Sequence, residues 1–470
     1  MRKIYSKRFI LDNFLLNSKE AEILFHDYAK EMPIIDYHNH LSAKKIAENK
    51  PINNITEAWL KEDHYKWRGM RANGVDEKFI TGNASLKEKF IKWAETVPYT
   101  YRNPLFHWTQ LELKRYFNID SILQASSAEE IYERANDILS LKTPASILEE
   151  MKVEILCTTN DPIDNLYYHQ QIVKRNFFTK ILPTFRSDNL FIIENNKFVD
   201  YIKKLSKCVK FSINTFTDLL HAIDDRIEYF HKNGCRLSDF GVSGFISMID
   251  YNSREIESIF DKLLKKKKLS EIEINKYNSN ILLYLGKKYY EKNWVQQYHL
   301  GSIRNNNDRL GTLLGYDAGC DSIGDYSMAE FISNFFNKLD YNNQLAKTIS
   351  YNINPSQNEV FATMMGNFNT SGIPGKMQWG PSWWFLDQKD GIEKQLNTLS
   401  NMGLVSRFIG MVTDSRSFLS FPRHEYFRRI LCNTIAEDLN KGLLPDDILY
   451  LGNMVQDICY NNAVEYFNFD

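Results

Sequence analysis

Two histidines stand one residue apart in His38-Asn39-His40, just after the apolar pair Ile34-Ile35. On an extended chain, residues two apart point to the same side, so both imidazoles can meet one cation. Asp414, which ends the apolar run 408–413, is the carboxylate that could join them. Two His and one Asp form a ligand set suited to zinc or another divalent ion. The plainer readings are two loop histidines and an Asp that caps a helix starting near Arg423. His299 ends the run 295–299, and a fourth ligand, a substrate contact and a buried histidine all stay open for it. Arg186 follows the run 182–185 and precedes Asp188, and Arg416 lies two residues after Asp414. Each arginine either pairs with a nearby acid or uses its forked donors on a carboxylate, which would make the substrate anionic. Trp383, next to Trp384, offers either core packing or a flat face for a sugar ring.

For these residues to meet, the ends of distant segments must converge. Short apolar runs recur at 33–38, 153–157, 181–185, 238–242, 295–299, 348–353, 377–380 and 408–413, with longer amphipathic stretches between them. Such alternation implies a parallel sheet, and eight runs imply closure into an α/β (β/α)8 TIM barrel. Barrel chemistry lies at the C-terminal strand ends. In a closed barrel the first and last strands are neighbours, so Asp414 would face His38 and His40. The clearest helix is 217–232, where Leu219, Leu220, Ile223, Ile227 and Phe230 repeat at helical spacing before Gly234. Ser127 with Glu130 predicts a capping box for another. From 41 to 150 there is no good strand, only helical spacing and aromatic-rich loops, and this stretch carries Asp63-His64-Tyr65-Lys66-Trp67-Arg68. It reads as a large helical insertion between the first and second strands. The expected organisation is 1–40 as N-terminal segment and first strand, 41–150 as insertion, and 151–470 as the remainder of the barrel.

The 470 residues carry 58 basic and 59 acidic side chains, a net charge of −1. That balance argues against a chain whose main task is to hold nucleic acid or an anionic membrane. The six cysteines form no Cys-x-x-Cys clip and read as free thiols in a reducing compartment. No run of about 18 apolar residues exists to span a bilayer. The basic N-terminus is interrupted by Asp12 and Asn13 and makes a poor signal peptide. The expectation is a cytoplasmic protein with no membrane partner; a homo-oligomer stays open.

The blocks quoted above, taken with their neighbours, resemble the uronate isomerases, also called glucuronate isomerases, of the amidohydrolase superfamily. The matching pieces are Phe14-Leu15-Leu16, Ile35-Asp36-Tyr37-His38-Asn39-His40, Asp63 through Arg71, Phe185-Arg186-Ser187-Asp188, His299-Leu300-Gly301 leading to Arg304, Ser382-Trp383-Trp384-Phe385 and Thr413-Asp414-Ser415-Arg416-Ser417. The His-x-His alone indicates the superfamily; the His64–Arg68 block with the double Trp and the Asp-Ser-Arg is specific. Two departures stand out. Arg186-Ser187-Asp188 replaces the usual Arg-Pro-Asp and leaves the charges in place. Asp239-Phe240-Gly241 lacks the His that usually follows the Asp.

The resemblance implies an intramolecular oxidoreductase of hexuronate catabolism. It would interconvert D-glucuronate with D-fructuronate, and D-galacturonate with D-tagaturonate, by proton transfer between C2 and C1 through an enediol. The roles it implies are His38, His40 and Asp414 for one divalent ion, expected to be zinc. Asp414, Tyr65 and His64 would serve proton movement. Arg186, Arg416, Trp383 and His299 would contact a small hexuronate. The alternative on the same barrel is a mononuclear hydrolase or deaminase. A binuclear one would use a carboxylated Lys on a middle strand, and 238–242 offers none.

Overall fold

The computed structural model describes residues 9–193, 195–242 and 247–469. Among them are the strands β1 Ile34–Asp36, β2 Val153–Asn160, β3 Lys180–Arg186, β4 Leu237–Val242, β5 Val295–Leu300, β6 Ser302–Ile303, β7 Ser322–Ile323, β8 Thr348–Asn352 and β9 Met377–Trp379. Seven of these form one parallel sheet in the order β1-β2-β3-β4-β5-β8-β9, and β6 and β7 form a separate antiparallel ribbon. Parallel neighbours require crossover connections, and helices supply them. Every residue of β5 and β8 is buried, as expected where both faces of a sheet are covered.

The sheet curls on itself. The ring of His38, just beyond β1, lies 4.5 Å from that of His299 on β5 and 6.4 Å from that of Tyr351 on β8. In a flat sheet these strands would be several spacings of ~4.8 Å apart.

The eighth stave is the buried run 408–413, but it forms no ladder. On one side the Tyr37 hydroxyl donates to Gly410 O at 3.2 Å, and on the other Gln378 of β9 donates to Arg407 O at 3.0 Å. The strand expected here is therefore present as a stave without strand pairing. Gly410 explains the interruption: its φ is +76°, and Ile458 O lies 2.5 Å from where a Cβ would sit, so the backbone turns at a place only glycine fits. The first strand is also shorter than expected. Past Asp36 the chain leaves the ladder, with Asn39 N–H still reaching Cys157 O at 3.2 Å.

The helix expected at 217–232 runs Phe216–Lys232 and is capped by Thr215 and Asp218. The capping box expected at Ser127 does not form; its hydroxyl donates instead to Ile122 O at 2.8 Å, and the helix Ala128–Leu139 starts with no side-chain cap. The preceding 3-10 turn Ala125–Ser127 claims that hydroxyl first. Residues 41–150 contain seven α-helices and no strand. Their Trp59, Phe90 and Trp93 share one apolar core with Leu156 of β2 and with Phe427 and Ile430 of the helix Pro422–Asn440. That shared core holds the helix His64–Ala72 against the barrel mouth.

Candidate functional site

A cavity of about 670 Å³ opens at the C-terminal strand ends. Its wall includes His38, His40, Asp414, Arg186 and His299 from the barrel, His64 and Tyr65 from the insertion, and Trp383 and Arg416 from loops. All nine residues singled out from the sequence therefore meet in one place.

His38 and His40 each aim Nε2 at the same atom, Asp414 Oδ1, at 3.2 and 3.0 Å. An ion bound at ~2.0–2.2 Å in tetrahedral geometry keeps its ligands about 3.4 Å apart, so this set fits a divalent cation with little movement. Thr159 Oγ1 holds His40 Nδ1 at 2.8 Å. Asp414 is in the left-handed region, φ 45°. Its N–H donates to His38 O at 3.3 Å, while His40 N–H reaches Ser415 O at 2.9 Å, one residue further than a regular parallel ladder would take it. This slip directs the carboxylate toward the imidazoles, a use of backbone strain common at functional sites. The Trp383 indole N–H donates to Asp414 Oδ2 at 3.0 Å. Trp383 therefore orients a carboxylate as well as lining the cavity. Burial disfavours the charge on Asp414, yet the hydrogen bonds from His38 and His40 hold its carboxyl well below the usual range. Burial brings His40 down to about 4, against the pull of Asp414. An ionised carboxylate and a neutral imidazole are the states a metal ligand needs. Asp414 and His40 are held in them, whereas burial opposes the charge on His38 but Asp239 and Asp414 outweigh it and raise its pKa.

Beside this set is a second cluster, in which Arg186 and His299, both candidates from the sequence, meet Asp239, to which the sequence pattern gave no role. Asp239 of β4 is fully buried and sits opposite Arg186 of β3 in the sheet register. Its Oδ1 is 2.8 Å from His299 Nδ1, and its Oδ2 is 2.8 Å from an Arg186 nitrogen. A second Arg186 nitrogen lies 3.1 Å from Asp188 Oδ1. Burial opposes the charge on Arg186, but Asp239 and Asp188 outweigh it and raise its pKa. His299 stacks on Tyr351 at 4.2 Å and meets Trp383 edge-on at 4.8 Å. The available signal for Asp239 was a lone acid on the inward-facing alternation Leu237, Asp239, Gly241 of an otherwise buried strand.

The insertion brings His64 and Tyr65 to the cavity, each tied to a loop of the barrel. His64 Nε2 is 3.2 Å from an Arg416 nitrogen, and burial together with that guanidinium lowers its pKa. The Tyr65 hydroxyl lies 2.9 Å from both Trp384 O and Asp387 Oδ2, so it is tied to the loop after β9. Burial pushes Asp387 up to about 7 despite Arg423, 3.6 Å away. Arg304, which follows β6, places its guanidinium 4.5 Å over the Trp384 ring. Arg416 has no carboxylate partner among the described residues. No helix of the described residues is long and apolar enough to cross a membrane.

Comparison with known proteins adds the lineage. The chain matches the family described as glucuronate isomerase over residues 6–467. It is 52% identical to the uronate isomerase of Flavobacterium johnsoniae, over 98% of this chain and 99% of that protein. It is 49% identical to that of Bacteroides thetaiotaomicron, over 98% and 100%. The crystal structure of uronate isomerase from Thermotoga maritima superposes with a TM-score of 0.93 at 34% identity, covering 98% of this chain and all of that one. Glucuronate isomerase from Caulobacter crescentus shares the fold, with a TM-score of 0.88 at 21% identity, covering 98% and 97%.

Proposed function

The chain belongs to the glucuronate isomerase family, and on that premise we infer that it interconverts D-glucuronate with D-fructuronate, and D-galacturonate with D-tagaturonate. The observation that carries this reading is the convergence of the His38–His40–Asp414 set with the uncompensated guanidinium of Arg416 in one cavity. Identity near 50% to uronate isomerases along the whole chain leaves the hydrolase or deaminase alternative disfavoured.

We assign the ion held by His38, His40 and Asp414 as a single zinc. When bound, it supplies Lewis acidity where negative charge develops. The residues of the chain do the rest. Arg416 takes the C6 carboxylate; Arg186 is the second choice, because two carboxylates already engage it. Asp414, kept ionised, takes part in removing the C2 proton, relayed through a substrate hydroxyl. Tyr65, with Asp387 behind its hydroxyl, returns a proton near C1. His64 stays neutral beside Arg416 and serves the same transfer. Trp383 keeps Asp414 aimed and covers the sugar, while His299, packed edge-on against Trp383, contacts substrate beside it. The loop and insertion side chains exclude bulk water from the enediol.

We place the protein in the cytoplasm, acting on a small hexuronate without nucleic acid or membrane partners. Its near-zero net charge and six free thiols support this.

The test is turnover of D-glucuronate in deuterated water by the metal-loaded protein. Ketose formation with solvent deuterium entering at the transferred position is the expected result. Loss of the uronate without a ketose product would remove the reading.

A further inference from the structure

Two ligand-competent sets share His38. One is His38, His40 and Asp414; the other is His38, Asp239 and His299, whose donor atoms all lie within 4.8 Å of one another. The second set is wholly buried, with His38, Asp239 and His299 at 1%, 0% and 3% exposure. Within it, His299 Nε2 and His38 Nδ1 have no hydrogen-bond partner among the described residues although both are buried. Two imidazoles around one carboxylate are a donor set for a divalent ion. Buried ring nitrogens without partners are the groups such an ion would satisfy.

A different cation already stands there. Arg186 places one nitrogen 2.8 Å from Asp239 Oδ2 and another 3.1 Å from Asp188 Oδ1. The register that sets Arg186 opposite Asp239 fixes it along the strand. Gly241 leaves it room: a Cβ there would be 3.1 Å from Asp188 Oδ1 and 3.4 Å from Arg186. A guanidinium cannot be deprotonated in a protein, so this positive charge is permanent. A dication brought to Asp239 would have to displace it or bear its repulsion.

We propose that Arg186 is a fixed cation in the place of a second divalent ion, and that it limits the His38–Asp239–His299 set and its neighbour to one ion between them. The inference rests on the one-ion reading of the first set. It makes the count of metal ions a property of one side chain, and it gives Arg186 a positioning role distinct from grip on substrate.

The experiment is zinc stoichiometry by elemental analysis after reconstitution with excess zinc and gel filtration. It compares the wild type with Arg186→Met, Arg186→Gln, Arg186→Lys and the double variant Arg186→Met/Asp239→Asn. The wild type should retain one zinc per chain; the Met and Gln variants should retain two. The Lys variant, which keeps a charge, and the double variant, which loses the carboxylate, should stay at one. Manganese loading offers an independent readout, since two adjacent ions give a spin-coupled resonance that a single ion does not. A folded Met or Gln variant that gains no ion over the wild type overturns the proposal. So does a wild type that takes up a second tightly held zinc, a measurement that needs no variant to fold. A wild type that binds none would instead overturn the one-ion reading, while the difference between variant and wild type still decides the present one.

Discussion

The Asp36 carboxylate accepts both the backbone N–H and the hydroxyl of Thr413, at 3.3 and 2.6 Å, and His424 Nε2 lies 3.5 Å from the same group. This contact joins β1 to the run 408–413, where no ladder forms. His38 lies two residues after Asp36 and Asp414 one residue after Thr413, so the join sets the distance between the histidines and the carboxylate they face.

Thr413→Val should therefore destabilise the fold and loosen the ligand set together. Removing the hydroxyl leaves a buried carboxylate short of a donor, at a cost of about 1–3 kcal/mol. Urea denaturation should show a lower midpoint with an unchanged slope, and zinc affinity should fall in parallel. An unchanged midpoint would mean the Asp36 carboxylate is satisfied without Thr413.

Asp414→Asn should lose the ion and most of kcat, because Asp414 Oδ1 is the atom both imidazoles face. His299→Asn should keep the ion, since His299 contacts Asp239, Tyr351 and Trp383 and lies outside the first set. Metal content measured beside kcat checks the division. Equal losses in the two variants would undo it.

Arg416→Met should cut kcat/KM for glucuronate by ~10²-fold or more, the effect of losing a charge-assisted pair worth about 2–5 kcal/mol. Zinc content should stay near one, and the preference for glucuronate over glucose should narrow. Arg416→Lys should recover part of the loss, since it restores the charge without the fork. If the preference survives Arg416→Met, the anchor is Arg186 or Arg304.

Stability should fall as pH rises through neutrality, in part because of one buried acid. Glu112 accepts the Trp59 indole N–H at 2.5 Å, and burial pushes its carboxyl up to about 7 from an ordinary 4.5. The folded state thus binds a proton that the unfolded chain has released. The associated stability is full below pH ~4.5 and is lost as pH rises through about 7, by at most about 3 kcal/mol. Glu112→Gln keeps an acceptor for Trp59 and removes the titration. Thermal melts at pH 5.5 and 7.5 should show a smaller pH difference in the variant than in the wild type. Equal differences would place the Glu112 titration outside this window.

Much of the site was readable along the chain. The spacing of His38 and His40, the alternation of apolar runs with helices, and the place of Asp414 after the last run are local patterns. They determine which side a residue faces and which strand end it occupies, and that placed His38, His40, Asp414, Arg186 and His299 at one barrel mouth, whereas His64 and Tyr65 joined them only through the family resemblance. The His64–Arg68 and Asp414–Arg416 blocks carried the lineage.

Three things needed the tertiary structure, each for the same reason. The run 408–413 has the composition of a strand, but whether it pairs depends on Ile458 O pressing against Gly410 from a remote helical segment. Tyr65 has the chemistry of a proton donor, but the groups its hydroxyl meets, Asp387 and Trp384 O of a distant loop, are set by the fold. Arg186 reads along the chain either as the partner of a nearby acid or as an anion anchor, and only the β3–β4 register shows it beside Asp239, where two carboxylates engage it. Periodicity reports a residue's orientation on its own element. What that residue can still bind depends on which charges and donors other elements bring within about 3 Å of it, and one-dimensional spacing does not contain that distance.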